Sequence, residues 1–374
     1  MTFSGDVLKN EEKAMMSLRA LYRKYGYTQY KMNKFEEYDL YVRNKNFLAS
    51  EQIITFNDTN GKLLALKPDV TLSIVKNAKD DASLCKYFYN ENVYRLSHTG
   101  REFKERMQAG LECIGPIDLY AMAEVILLAD RSLQLISGRY ALDISHMGYL
   151  SGLFDGLGLA EEQAAHMLRC ISEKNVPEIE KLSQAVGLQA DDTRRLTAIA
   201  ALYGSFEETI GLLKKLSINE RTDDAVSELE SVFTVIKSFG AGENIRLDFS
   251  IVNDMTYYNG IIFQGFVDGI PTGVLSGGRY DKLLERFGKK AGAIGFAVYL
   301  DLLERFDEAP RPFDVDILLL YDETTDAQAL ARAVKVLTDD NMSVRAERGP
   351  ADGIKYRQLY QMKDGGFDVL ERLD

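Results

Sequence analysis

The sequence predicts an α+β fold in which one sheet is assembled from two distant stretches of chain, with a helical insertion between them and a small C-terminal α/β unit after them. Three observations carry this reading. Strand-like segments fill residues 52–115 and return after residue 245, the stretch 150–240 repeats only a helical period, and a proline-containing joint at 308–313 precedes a fresh strand–helix pattern. At 374 residues the chain has room for two or three domains and a large buried core.

Residues 7–25 (VLKNEEKAMMSLRALYRKY) place apolar groups at helical spacing, and Gly26 ends the run ahead of a tyrosine-rich extended stretch. QIITFNDTNGKLLALKPD predicts two strands around Asn60-Gly61, a dipeptide that accepts the positive φ angles of a tight hairpin. A short helix from Asp69 follows, then a strand at 86–96, a polar loop at 97–107, a strand at 108–115 and a long helix from near Asp118. Residues 85–115 therefore read as antiparallel strands joined by an exposed loop. AEEQAAHMLRCISEK, VPEIEKLSQAV and DDAVSELESVFTVIKSF predict an inserted helical subdomain. Strands return with IRLDFSIV (245–252) and MTYYNGIIFQGFVDG (255–269), followed by a glycine turn at Gly277-Gly278 and an apolar helix, GAIGFAVYLDLLERF (292–306). Beyond the EAPRPF linker, DVDILLLY, TDAQALARAVKVLTDD, MSVRAER and a further helix at about 354–363 predict a βαβα unit, so the domains divide as 1–310 and 311–374.

Composition narrows the function. The 45 basic and 57 acidic side chains leave a net charge of −12, which opposes non-specific attraction to nucleic acid while leaving room for a local basic groove. Cys85, Cys113 and Cys170 stand far apart without paired metal-ligand spacing, as suits structural thiols in a reducing cytoplasm. MTFSGDVLKNEEK lacks a basic flank before an apolar core, and no apolar run reaches about 18 residues, so a cytoplasmic protein without membrane contact is expected. There is no phosphate loop, no GxSxG elbow and no HExxH helix. His98, His146 and His166 lie in separate elements as ordinary histidines, and neither a metal nor a cofactor is expected.

Four stretches in order carry a family resemblance: KPDVT (67–71), VYR (93–95), QAGLE (108–112), and YYNGIIF (257–263) with GGRYD (277–281). Together they resemble the carboxylate turn, motif 2, the Gln-x-Gly-x-Glu strand and the histidine-specific segments of the histidyl-tRNA synthetases. The resemblance spans roughly residues 7–306. It implies a class II aminoacyl-tRNA synthetase-like antiparallel sheet flanked by helices, with a helical insertion and a small C-terminal α/β unit, dimeric through its N-terminal part.

By the same resemblance, free histidine is the ligand. Asp69, Thr71 and Gln108 would accept from its ammonium, while Arg95 and the Gln108 amide would hold its carboxylate by charge-assisted bonds. Glu112 would take one imidazole N–H, Tyr258 would face the other ring nitrogen, and Tyr257 and Tyr280 would line the ring slot beside Gly277-Gly278. The alternative for Glu112 is an exposed acid on an edge strand, and for the tyrosines a cross-strand aromatic pair. Asp69 departs from the family's longer glutamate, which implies a bridging water or an altered affinity.

Other departures fall on the nucleotide side. Where the family reads RGLDYY this chain reads NDMTYY and offers Asn253, and where motif 3 ends GLER it has YLDL and offers Leu302. Motif 2 becomes Arg95-Leu96-Ser97, and the proline of motif 1 is replaced by Asn33. Losing two phosphate-facing cations, at about 1.5–3 kcal/mol or more each, removes useful ATP chemistry. The C-terminal unit resembles the start of an anticodon-binding domain, but residues 311–374 carry nine basic and thirteen acidic side chains, unlike a tRNA-contacting module.

A kept amino-acid half with a broken nucleotide half is the pattern of the ATP phosphoribosyltransferase regulatory subunits. That resemblance implies a non-catalytic chain, dimeric within a hetero-oligomer. Its partner would be a short catalytic subunit that needs this chain for full activity, and its effector histidine, with no tRNA bound. The competing readings are an active but divergent histidyl-tRNA synthetase and a histidine sensor with another partner.

Overall fold

The structure, a computed structural model, describes residues 8–45, 52–78, 83–96, 102–252, 258–303, 306, 313–349, 353–363 and 366–373. Tyr257 and Asn253, with Ser97, His98 and most of the 308–313 linker, lie outside these residues. The first amphipathic segment becomes α1 (Asn10–Lys24), which buries Ala14, Leu18 and Tyr22 on one face. It ends at Gly26, whose φ of +82° costs glycine little. Short strands β1 (Thr28–Gln29) and β2 (Phe35–Glu37) and helix α2 (Tyr38–Val42) lead to β3 (Thr55–Asn57) and β4 (Leu63–Leu66). These last two pair antiparallel around the Asn60-Gly61 turn, as the dipeptide predicts.

Helix α3 (Thr71–Asn77) precedes β5 (Cys85–Leu96) and β6 (Phe103–Gly115), which pair from Cys85↔Ile114 to Leu96↔Phe103. The second strand thus starts earlier than residue 108 and shortens the expected polar loop. Asp118 accepts the Ala121 N–H at 2.8 Å and opens α4 (Leu119–Ile136). Next comes β7 (Tyr140–His146), a strand the sequence reading did not single out. The predicted helical insertion is α5 (Met147–Gly156), α6 (Glu161–Ser172), α7 (Val176–Ala185), α8 (Ala190–Ala201), α9 (Phe206–Leu216) and α10 (Glu220–Ser238). One short strand, β8 (Tyr203–Ser205), interrupts it. The unit closes with β9 (Ile245–Asp248), β10 (Ile261–Val267), β11 (Leu275–Arg279), α11 (Asp281–Arg286) and β12 (Gly292–Tyr299).

The helix expected at 292–306 is therefore absent over residues 292–303, which form β12 and then a 3-10 turn, Leu300–Leu303. Strand β12 pairs with β6 on one side and β11 on the other, so residues on both faces are buried and the polar alternation that marks a strand is missing. Nine strands form one sheet in the order β1-β5-β6-β12-β11-β10-β7-β9-β8. The run from β5 to β7 is antiparallel, whereas β1 joins β5 and β9 joins β7 in parallel, so the sheet is mixed at its flanks. Helix α4 covers one face, packed between the sheet, α1 and α10.

The chain divides into two compact units, Met1–Phe306 and Asp307–Asp374. The second holds β13 (Val315–Tyr321), α12 (Ala327–Asp339), β14 (Val344–Arg348), β15 (Tyr356–Lys363) and β16 (Gly366–Arg372), with sheet order β14-β13-β15-β16. The expected second helix at 354–363 is thus a strand. Its partners β13 and β16 supply hydrogen bonds on both sides, and Tyr360 and Met362 reach the small core.

Gly295 pairs with Glu112 across β12 and β6, and a Cβ there would collide with the Glu112 carboxylate and come within 2.5 Å of the Leu111 carbonyl. Gly295→Ala is expected to lower the unfolding free energy by about 1–3 kcal/mol, since backbone must move. Urea denaturation measures it.

Candidate functional site

Ala109, Leu111 and Cys113 of β6 join the core beneath α4, and strand alternation leaves Gln108, Gly110 and Glu112 in a row on the other face. Glu112 is only 2% exposed, on a strand paired at both edges, which removes the reading of an exposed edge acid. Its Oε1 accepts from Thr71 Oγ1 at 2.7 Å, and its Oε2 accepts from the Tyr280 hydroxyl. Burial pushes the carboxyl up to about 8; the hydrogen bonds from Tyr280 and Thr71 oppose that rise, and the charge of Asp69 adds to it.

Asp69 reaches the site from the turn before α3. Its Oδ1 accepts the Leu72 N–H at 2.8 Å, and its Oδ2 lies 3.5 Å from the Arg95 guanidinium. Burial raises its pKa although Arg95 and the backbone N–H groups of the turn pull it down. Part of the acceptor capacity expected for a ligand ammonium is therefore already used by the helix start. Arg95 Nε donates to the Pro68 carbonyl at 2.6 Å, so the 67–71 turn bridges β5 and β6 from Arg95 to Glu112. Along β6, Arg95 stands opposite Lys104 rather than Gln108, and its side chain is held against the turn.

Gln108 is 2% exposed and its Nε2 has no hydrogen-bond partner. A buried amide donor left unpaired costs about 1–3 kcal/mol, which a ligand acceptor would recover. Tyr258 lies over Gly278, where a Cβ would come 2.9 Å from its Cδ1. Burial and the neighbouring Tyr299, Glu112 and Asp69 raise its hydroxyl pKa strongly. The structure thus brings Thr71, Glu112, Tyr280, Asp69 and Tyr258 together, with Gln108 on the same sheet face. Tyr89 is a member the sequence reading missed. Its ring and hydroxyl stand 2.5 Å from where a Gly110 Cβ would be, so the glycine of QAGLE makes room for it. The signal was the tyrosine pair of β5 opposite that glycine.

Leu302 packs against the main core from the 3-10 turn, and Arg106, two residues before Gln108, lies 3.9 Å from Asp301 on that same turn. His146 proves structural: its Nδ1 accepts the Tyr149 N–H at 3.1 Å and starts α5.

The family model described as histidyl-tRNA synthetase matches residues 5–303. The chain belongs to the histidyl-tRNA synthetase family. It is 31% identical, over 99% of this chain and 91% of the relative, to a protein of Acetivibrio thermocellus named ATP phosphoribosyltransferase regulatory subunit. A crystal structure from Bacillus halodurans, titled ATP phosphoribosyltransferase regulatory subunit/histidyl-tRNA synthetase, matches with a TM-score of 0.75 at 27% identity, covering 92% of this chain and 90% of that one. The fold also matches a chain in the ATP phosphoribosyl transferase complex of Thermotoga maritima, with a TM-score of 0.61 at 20% identity over 80% of this chain and 98% of that one. In this chain QAGLE and GGRYD supply the buried Glu112 carboxyl and the Tyr280 hydroxyl bonded to it. Among the described residues no helix is long and apolar enough to cross a membrane.

Because the folded carboxyl of Glu112 titrates near 8 and an unfolded one near 4.5, the folded state keeps a proton that the unfolded state has lost. Stability from this group is complete below about pH 4.5 and is lost as pH rises toward 8. Glu112→Gln should therefore flatten the fall in stability between pH 5 and 8, read as melting temperature against pH for both proteins.

Proposed function

We infer that this chain is the non-catalytic regulatory subunit of ATP phosphoribosyltransferase, that its synthetase-like pocket binds free histidine, and that it acts on a short catalytic subunit in the cytoplasm. The first part is supported by the near full-length likeness to the Acetivibrio thermocellus regulatory subunit, and a catalytic partner by the Thermotoga maritima complex. The observation that carries the ligand reading is the buried Glu112 carboxyl, bonded by Thr71 and Tyr280, at the centre of the sheet.

Histidine fits this chemistry atom by atom. Glu112 meets one imidazole nitrogen and Tyr258 the other; because burial holds the Glu112 proton near neutral pH, carboxyl and ring share one proton on binding. Tyr280 lines the ring slot. The ammonium sits by Asp69, Thr71 and the Gln108 carbonyl, and the carboxylate takes the Gln108 amide and Arg95. Adenylation is lost because the apolar Leu302 and the amide Asn253 replace cations that phosphate chemistry needs. No cofactor is needed, and the acidic C-terminal unit does not serve tRNA. Histidine bound here biases the partner toward its inhibited state by a coupling free energy of about 1–3 kcal/mol.

The purified chain is expected to catalyse no histidine-dependent ATP–pyrophosphate exchange and to activate a short catalytic subunit in trans; robust exchange would overturn the regulatory reading. By sedimentation it should be at least a dimer, because class II folds pair through the segment that here comprises α1 and the strands after it. Glu112→Gln keeps the shape and removes the acidic proton that carboxyl and ring would share. A charge-assisted bond of about 1.5–3 kcal/mol makes histidine affinity fall roughly ten- to a hundredfold by calorimetry, with inhibition moved to higher histidine in step.

A further inference from the structure

Behind the pocket, on the side away from Glu112, a set of charged and amide groups holds the two segments that carry its tyrosines. Tyr280 is flanked in sequence by Arg279 and Asp281, and Tyr258 is followed by Asn259. Asn259 Nδ2 donates to Asp281 Oδ2 at 3.1 Å, the Asp281 N–H donates to Asn259 Oδ1 at 3.2 Å, and the Asn259 N–H donates to the Arg279 carbonyl at 3.3 Å. Arg279 Nε donates to Asp281 Oδ2 at 2.8 Å, and Asp281 Oδ1 accepts the Ala293 N–H at 2.9 Å. The aliphatic stem of Arg279 runs across Gly260, where a Cβ would come within 3.1 Å of it. The two segments are therefore one clamped unit.

That unit is tied to the helical insertion. Arg279 Nη1 lies 3.6 Å from Glu228 Oε2 on α10, and Glu228 Oε1 lies 3.1 Å from His146 Nε2, whose other ring nitrogen caps α5. Burial works against the charge of Glu228, yet His146 and Arg279 outweigh it and keep this carboxyl below the usual range. Glu228 thus joins the Arg279 guanidinium on one side to the His146 ring that caps α5 on the other.

We propose that Arg279, with Asp281 and Asn259, is a positioning brace that sets Tyr280 and Tyr258 against the ligand and joins them through Glu228 to the α5–α10 insertion, so that pocket occupancy and the insertion bias one another. The proposal rests on the histidine reading of the pocket for its ligand, not for its geometry. Glu228 faces Arg279 and His146, so an effect of changing it reaches the tyrosine segments through the guanidinium and Asp281, and also through the start of α5, where the Met147 N–H donates to the Gly260 carbonyl at 2.9 Å.

Glu228→Gln tests this, because glutamine keeps the size and can still accept from His146 while removing the charge opposite Arg279. Two quantities are read in the full chain. The first is histidine affinity by calorimetry, expected to fall roughly fivefold to tenfold. The second needs no ligand: the pH midpoint of Glu112, taken from the difference in melting temperature between chains with and without Glu112→Gln, measured in both Glu228 backgrounds. The groups facing Glu112 are Thr71 and Asp69 from the turn, Tyr89 from β5, Tyr258 and Tyr280. Removing a distant negative charge alone would lower that midpoint. A loosened Tyr280 hydroxyl, which now stabilises the ionised form, raises it, and the brace predicts the rise. Arg279→Lys, which keeps the charge and loses the forked geometry, should move the midpoint in the same direction. A raised midpoint in a chain that binds no histidine upholds the brace and removes the ligand reading. Histidine binding with an unmoved or lowered midpoint in both variants overturns the brace and leaves the ligand reading standing.

Discussion

Glu112 sits on β6 with paired strands on both sides, where an ionised group would cost several kcal/mol unless donors and space were built for it. The surrounding sequence is arranged around that demand. Thr71 comes from the start of α3 and Tyr280 from the end of β11, so the two carboxylate oxygens are served from opposite sides of the sheet row. Gly295 on β12 leaves the volume that the carboxylate occupies, and Gly110 on its own strand leaves the volume for Tyr89. The buried acid thus explains the glycine at 295 on β12, and Tyr89 explains the one at 110 on β6.

If the pocket binds histidine as proposed, the same face accounts for a synthetase-like site that keeps its ligand without the chemistry. Amino-acid recognition depends on directional groups within a few ångströms of one another, which the 67–71 turn, β6 and the 279–281 corner supply. Phosphate chemistry would depend on unpaired cations farther along the face. There the 3-10 turn after β12 carries Leu302 into the core and sets Asp301 opposite Arg106. Removing charge at that end leaves the hydrogen bonds at the Glu112 end untouched, so the two functions separate without rebuilding the sheet.

The helical insertion is more than a cover for the sheet edge. Its first helix begins on His146 and its last carries Glu228, which faces His146 on one side and Arg279 on the other. A regulatory chain needs an element whose state differs with ligand, and the insertion, packed through α10 on α4, is the element that the proposed brace would couple to the pocket.

Local patterns determined a good deal on their own. The first helix and its glycine stop, the Asn60-Gly61 hairpin, the Asp118-capped helix and the helical insertion were all legible, because each rests on periodicity or on a turn residue acting over a few positions. The ordered segments KPDVT, QAGLE and GGRYD pointed to a site only through their joint resemblance to the histidyl-tRNA synthetases, not through the chemistry of any one of them. What only the tertiary structure decided lies where partners come from far away. GAIGFAVY is a strand because β6 and β11 bond to both its edges, and residues 356–363 are a strand because β13 and β16 do the same; an apolar run without alternation does not announce this. Asp69 looked like a ligand group from its motif, yet its commitment to Leu72 and Arg95 appears only once the turn meets β5. The burial of Glu112, and with it the raised pKa that makes the pocket, is a property of nine strands and no segment alone.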